Sequence, residues 1–284
     1  MKRLLVLLFA LAAAAQTPAP PGKLVDVGGY RVHLYCTGTG GPTVLVVGAG
    51  FSFDWALVQP EVARFTRVCT YDVSGTAWSD PGPKLTCRER VNEVHKLIGA
   101  ARLSTPLVLV GLSIGGCVAR LYAAEHAADV AGMVIVDHAF QPDPPPDPPP
   151  AEPGVTRPVL IYQAPITFTV EDISNFKQLP EQAQQLHRWA MSLKPKLPDW
   201  DDAEDCLKQL KGVPTLGNKP LVVVSTDNQA RGYDRLQREL LALSTQSSQL
   251  YANRSIHAVE IDRPEVIVTA IRRVVDAIRI AALR

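Results

Sequence analysis

Five short apolar runs, Thr43–Val47, Arg67–Tyr71, Pro106–Val110, Met133–Val136 and Leu221–Val224, alternate with stretches whose apolar residues recur at helical spacing. The runs are continuous and rich in valine, the pattern of strands buried on both faces. The stretches between them, around Trp55–Phe65, Arg88–Leu103, Ile114–Glu125 and Tyr233–Leu243, read as helices. Such alternation predicts an α/β fold, a mostly parallel sheet with helices on both faces. A hairpin precedes it, Leu24–Val27 and Arg31–Cys36 about a Gly28-Gly29 turn, and a short strand near Gln249–Ala252 follows. These bring the expected sheet to eight strands. A last helix starts at Pro264, with Asp262 and Glu265 at capping-box spacing.

Residues 141–218 break this rhythm. QPDPPPDPPPAEPG cannot be helical and reads as a stiff extended linker into an insertion. The core is therefore expected at 24–140 and 219–284. Phe168, Phe176, Trp189 and Trp200 lie in helix-compatible sequence beyond the linker. They read as a small cap over the carboxyl ends of the strands, where open α/β sheets bind ligands. Most of these rings are expected to make the cap's own core.

Within the alternation, LVLVGLSIGGCVARLY (107–122) sets Ser113 between Gly111 and Gly115, where strand gives way to helix. Glycines at a sharp reversal remove the Cβ clashes that would otherwise block it. The serine is expected to stand outward on a tight turn. The helix that begins at Ile114 points unpaired N–H groups and the positive end of its dipole at the same place, where an oxyanion would be stabilised.

Serine is a weak nucleophile at its free pKa and needs a base, itself oriented by a carboxylate. Of the six histidines, His33 falls in a hairpin strand, His95 and His126 on helices, and His187 in the cap. These four read as structural or solvated. His138 follows a strand directly but adjoins Asp137, so the two side chains diverge. His257, in the loop SIHAVEIDRPE between the last strand and the last helix, is the candidate base. The acid is Asp137, after the sixth strand, or alternatively Asp227, after the seventh.

Twenty-nine basic and 28 acidic residues give a net charge of +1, with no basic stripe of the kind nucleic acid requires. A neutral small molecule is the expected partner. Lys2 and Arg3, the apolar run Leu4–Leu11 and the small residues Ala12–Ala15 have the layout of a signal peptide (1–15), cleaved before Gln16. The apolar run is too short for a stable membrane span; the alternative is an uncleaved anchor. A Pro-rich tether (16–23) follows. With five cysteines, not all can pair within one chain. Cys36, Cys69 and Cys117 lie in apolar patterns and are read as small buried hydrophobes. Cys87 and Cys206 start polar helical segments, which leaves a disulfide between them open. No C-x-x-C or H-x-x-x-H spacing points to a metal.

From about Val25 to its C-terminus the chain resembles the α/β-hydrolase superfamily. The resemblance rests on GLSIGG (111–116), YDVSGTAWSDPGP (71–83), VIVDHAF (134–140) and SIHAVEIDRPE (255–265). It implies a triad in chain order Ser, acid, His, and an oxyanion hole from the backbone N–H groups of Ile114 and of Gly50 in the loop 48–51. Relatives commonly carry the acid a few residues beyond the seventh strand, where this chain has Gln229; another branch carries it after the sixth, at Asp137. Three departures stand out: Gly48-Ala49 replaces His-Gly, Leu112 replaces the histidine before the nucleophile, and Val73 replaces the arginine after Asp72. Asp72 itself reads as holding its turn. Serine at position 113 argues against the aspartate-dependent dehalogenase and epoxide-hydrolase branches.

The leading expectation is an exported serine hydrolase for a carboxylic ester or related small acyl substrate, working without a cofactor. The alternatives are a ligand-binding or sensory protein on the same fold, and a peptidase or lactonase using the same triad.

Overall fold

A computed structural model of the chain describes residues 17–48, 50–83, 86–138, 175–193, 201–227, 233–255 and 257–283. The expected signal peptide, the Pro-rich linker, Phe168, Trp200 and Gln229 lie outside the described residues.

Eight strands form one sheet: β1 (Lys23–Asp26), β2 (Arg31–Thr37), β3 (Val44–Val47), β4 (Val68–Tyr71), β5 (Leu107–Leu112), β6 (Val130–Val136), β7 (Leu221–Thr226) and β8 (Ser247–Ala252). Their spatial order is β1-β2-β4-β3-β5-β6-β7-β8. β1 and β2 are antiparallel, β2 meets β4 antiparallel, and every pairing from β4 to β8 is parallel.

Side chains alternate across a strand, so the continuous apolar runs feed two cores. Leu107, Leu109, Met133, Ile135, Leu221 and Val223 face one layer. It includes the helices α2 (Cys87–Ala101) and α3 (Ile114–Glu125). Val108, Val110, Val134, Val136, Val222 and Val224 face the other. That layer is closed by α1 (Gln59–Ala63) and, through Ile267, Ile271 and Val274, by the long helix α8 (Pro264–Ala282).

The Trp55–Phe65 segment divides into a 3₁₀ turn (Ser52–Leu57) and the short α1, because Pro60 is admissible only in a helix's first turn. In the insertion, α4 (Glu181–Ser192) packs on that 3₁₀ turn. α5 (Asp201–Gln209) instead lies against α2 and α3, with Cys206 and Leu210 in their core. Two further helices, α6 (Tyr233–Leu240) and α7 (Val259–Asp262), flank β8 in sequence.

Two expectations from the sequence are corrected. Cys36 and Cys69 are paired with each other, because the antiparallel register of β2 and β4 sets them directly opposite. Asp262 does not cap α8: the N-cap is Arg263, and the Asp262 carboxylate accepts bonds from Ser255 Oγ (3.0 Å) and Asn175 Nδ2 (2.8 Å). Cys87 and Cys206 also form a disulfide, tying α5 to the start of α2 across 119 positions, while Cys117 is buried and free. Among the described residues no helix is long and apolar enough to cross a membrane.

Candidate active site

Because β3, β5, β6, β7 and β8 run parallel, the residues that follow them gather at one edge of the sheet. Gly50, Ser113, Asp137, Asp227 and His257 all lie beyond those strand ends.

Ser113 joins β5 directly to α3 with φ 53° and ψ −125°, left-handed backbone that a residue with a Cβ adopts only under constraint. The flanking glycines supply it. A Cβ on Gly115 would stand 2.0 Å from the Val47 carbonyl oxygen, and one on Gly111 2.6 Å from that of Gly115. The spacing of GLSIG is thus the condition for α3 to start hard against β3. Ser113 N–H is anchored on the Val136 carbonyl (3.0 Å), and Ile114, first residue of α3, has an N–H with no intrahelical acceptor.

One turn deeper, His138 is fully buried, its Nδ1 donating to the Ser113 carbonyl (3.0 Å) and its Nε2 3.3 Å from Arg120 Nη1. Burial, with the Arg120 charge second, pushes its pKa down to about 3, so the ring is neutral. Gly116 makes room for it, since a Cβ there would lie 2.8 Å from the ring. His138 is therefore a support beneath the turn.

At the end of β6, Asp137 also takes a positive φ of 41° and is 4% exposed. Its Oδ2 lies 2.5 Å from His257 Nδ1. Its Oδ1 accepts the hydroxyls of Thr226 (2.9 Å) and Tyr233. Burial, with the Asp137 charge second, pushes the Tyr233 pKa up, which keeps that hydroxyl a donor. A carboxylate held by two hydroxyls accepts from Nδ1–H, which leaves Nε2 of the half-exposed His257 as the basic nitrogen. Asp227 is engaged elsewhere: its Oδ2 accepts the Arg254 N–H (2.5 Å) and its own N–H bonds the Ser255 carbonyl (3.0 Å). It shapes the loop that presents His257.

Beyond β3, Gly50 has φ 93°, and the next N–H, of Phe51, donates to Asp54 Oδ2 (2.7 Å). The other oxygen of Asp54 meets His187 Nδ1 of α4 at 2.8 Å, both side chains buried. A residue of the insertion thereby grips the loop after β3. Nearby Glu260 is buried, and desolvation, then the Asp54 charge, raises its pKa well above the ordinary value. Asp72 is structural, but its carboxylate holds neighbouring segments and not its own turn, bridging His33 Nδ1 of β2 (2.7 Å) and the Ser52 N–H (2.7 Å), while its backbone carbonyl accepts the Ser79 hydroxyl of the turn.

Sequence reasoning missed Tyr233, Thr226 and the Asp54–His187 pair. No local pattern marks them; only the juxtaposition of chain segments does.

The profile of the alpha/beta hydrolase family matches residues 43–270, and the chain belongs to that family. It is 25% identical over 259 residues to the protein YqjL of Bacillus subtilis (strain 168), covering 88% of this chain and 90% of that one. It is 28% identical over 131 residues to a 2-hydroxymuconate semialdehyde hydrolase of Pseudomonas sp. (strain CF600), covering 44% and 46% of the two chains. Among solved structures, an esterase from Thermogutta terrifontis aligns with a TM-score of 0.64 at 20% identity over 92% of this chain and 99% of that one. Cfl2 from Burkholderia cenocepacia aligns with a TM-score of 0.69 at 17% identity over 88% and 94%. At such identities these structures bear on the fold.

Proposed function

We propose that the chain is an exported serine hydrolase that cleaves a carboxylic ester or related small acyl substrate. The observation that carries this reading is the pairing of His257 Nδ1 with Asp137 Oδ2 at the sheet edge where Ser113 stands on its left-handed turn.

In this mechanism Ser113 Oγ attacks the substrate carbonyl carbon while its proton passes to His257 Nε2. The N–H groups of Ile114 and of the Gly50 loop hold the oxyanion. Collapse expels the alcohol, which takes the proton from His257, and leaves an acyl-serine. Water, deprotonated by His257, then adds to the acyl carbon and frees the acid and Ser113. Asp137 orients the ring and supports its charged form. The two disulfides support export, since such bonds persist in oxidising compartments. The small-molecule substrate is in keeping with the family and with the near-neutral chain.

One observation favours a second reading, a ligand-binding protein without turnover: Asp54 occupies the Phe51 N–H in the loop that would supply an oxyanion donor. Turnover separates the two. A panel of p-nitrophenyl esters of increasing chain length, with a 2-hydroxymuconate semialdehyde added because a relative bears that name, is expected to yield a substrate that Ser113→Ala does not hydrolyse. Hydrolysis that persists in Ser113→Ala overturns the assignment; binding of the panel without turnover favours the second reading.

A further inference from the structure

We propose that His95, His126 and Asp129 form a site for a divalent transition-metal ion of the zinc class, clamping α2 to the far end of α3. A ring nitrogen of each histidine and a carboxylate oxygen of Asp129 all lie within 4.8 Å of one another, the one such cluster among the described residues. The three come from different places. His95 is on α2, His126 directly follows α3, and Asp129 ends the short 3₁₀ turn Ala127–Asp129 that starts the path into β6.

The two imidazoles lie face to face, 4.0 Å between centroids and 7° from parallel, and one ring turns out of this stack to bring both in-plane lone pairs onto one ion. The carboxylate is already oriented, because the Tyr122 hydroxyl donates to Asp129 Oδ2 (3.0 Å) and the Asp129 N–H bonds the His126 carbonyl (2.9 Å). A hydroxyl held on a ligating carboxylate is the usual outer-shell arrangement of a metal centre.

The donor set selects the metal. Two imidazoles and one carboxylate suit zinc, nickel or copper, whereas magnesium and calcium prefer oxygen throughout. Zinc bonds of about 2.0–2.1 Å require donors about 3–3.5 Å apart. His95 is exposed and closes that gap by rotating its side chain. Water completes the coordination. The site lies at the opposite end of α3 from Ser113; 12 residues at about 1.5 Å each separate them by roughly 18 Å. It is independent of the hydrolase reading. Bound metal would stabilise the fold by mass action, joining two helices that hold the serine-bearing layer.

Calorimetric titration of the EDTA-treated full chain with ZnCl₂, alongside thermal melts, tests the proposal. Wild type is expected to take up one equivalent and to melt higher with zinc. His95→Ala, at an exposed position, and Asp129→Asn, which keeps the Tyr122 bond, are expected to fold normally, bind at least tenfold more weakly and lose the melting shift. Tyr122→Phe should weaken binding by about 10–100-fold. His257→Ala, a change at a different exposed histidine, should bind as wild type does. Absence of saturable binding in wild type, or binding unchanged in both His95→Ala and Asp129→Asn, overturns it.

Discussion

Asp137 and His257 stand 120 positions apart in the chain and meet at 2.5 Å, Oδ2 to Nδ1, while Asp227 spends its carboxylate on the Arg254 N–H. The two aspartates therefore respond differently to the same change. Asp137→Asn is expected to lower kcat by about 10⁴, because the amide fixes the wrong imidazole tautomer and withdraws support from its charged form. Asp227→Asn is expected to leave kcat within a few-fold. Steady-state kinetics of the two variants decide it; a collapse confined to Asp227→Asn would reverse the roles.

The loop after β3 is gripped by Asp54, which holds the Phe51 N–H with one oxygen and His187 with the other. Asp54→Ala removes the acceptor that fixes the loop and is expected to lower kcat by about 10², the lower range for misplacing one oxyanion donor, here the Gly50 N–H. His187→Ala leaves the Phe51 bond in place and is expected to act more on KM than on kcat. Equal losses of kcat in both variants would show that the insertion, not the capping bond, holds the loop.

Gly115 approaches β3 so closely that an added methyl would lie 2.0 Å from a backbone oxygen. Gly115→Ala is expected to lose at least about 3 kcal/mol of stability, the upper range for overpacking, or to fail to fold. A urea midpoint equal to that of wild type would contradict the packing described for the turn.

His138 carries the clearest pH signature. Its pKa is lowered from 6.5 to about 3 in the folded chain, mainly by burial, while the unfolded chain protonates it normally. The stability this contributes is complete above about pH 6.5 and is lost as pH falls toward 3, since the unfolded state then binds the extra proton. His138→Asn keeps a donor for the Ser113 carbonyl without titrating. Urea midpoints from pH 7 to 4 are expected to fall less steeply in the variant than in wild type; parallel slopes would count against a neutral buried ring.

Much of this architecture is legible in the sequence because it is written locally. Runs such as LVLV and MVIV read as strands, and the helix predicted at Ile114–Glu125 is the helix found. His257 stood out by its loop. What escaped depends on register or on distant partners. Cys36 and Cys69 pair because β2 and β4 align them, which neither apolar pattern encodes. The Asp262 and Glu265 spacing suggested a cap, but Arg263 takes that position and Asp262 turns back to Ser255 and Asn175. Asp54 and His187, 133 positions apart, carry no joint signal at all.

Everything in the proposed chemistry turns on Ser113 as a nucleophile activated by His257. Intact-mass and peptide mapping after treatment with a fluorophosphonate probe tests it most directly. A single adduct on Ser113 is expected, formed far more slowly in His257→Ala and not at all in Ser113→Ala. An unmodified wild-type protein, or an adduct that survives in Ser113→Ala, would contradict it.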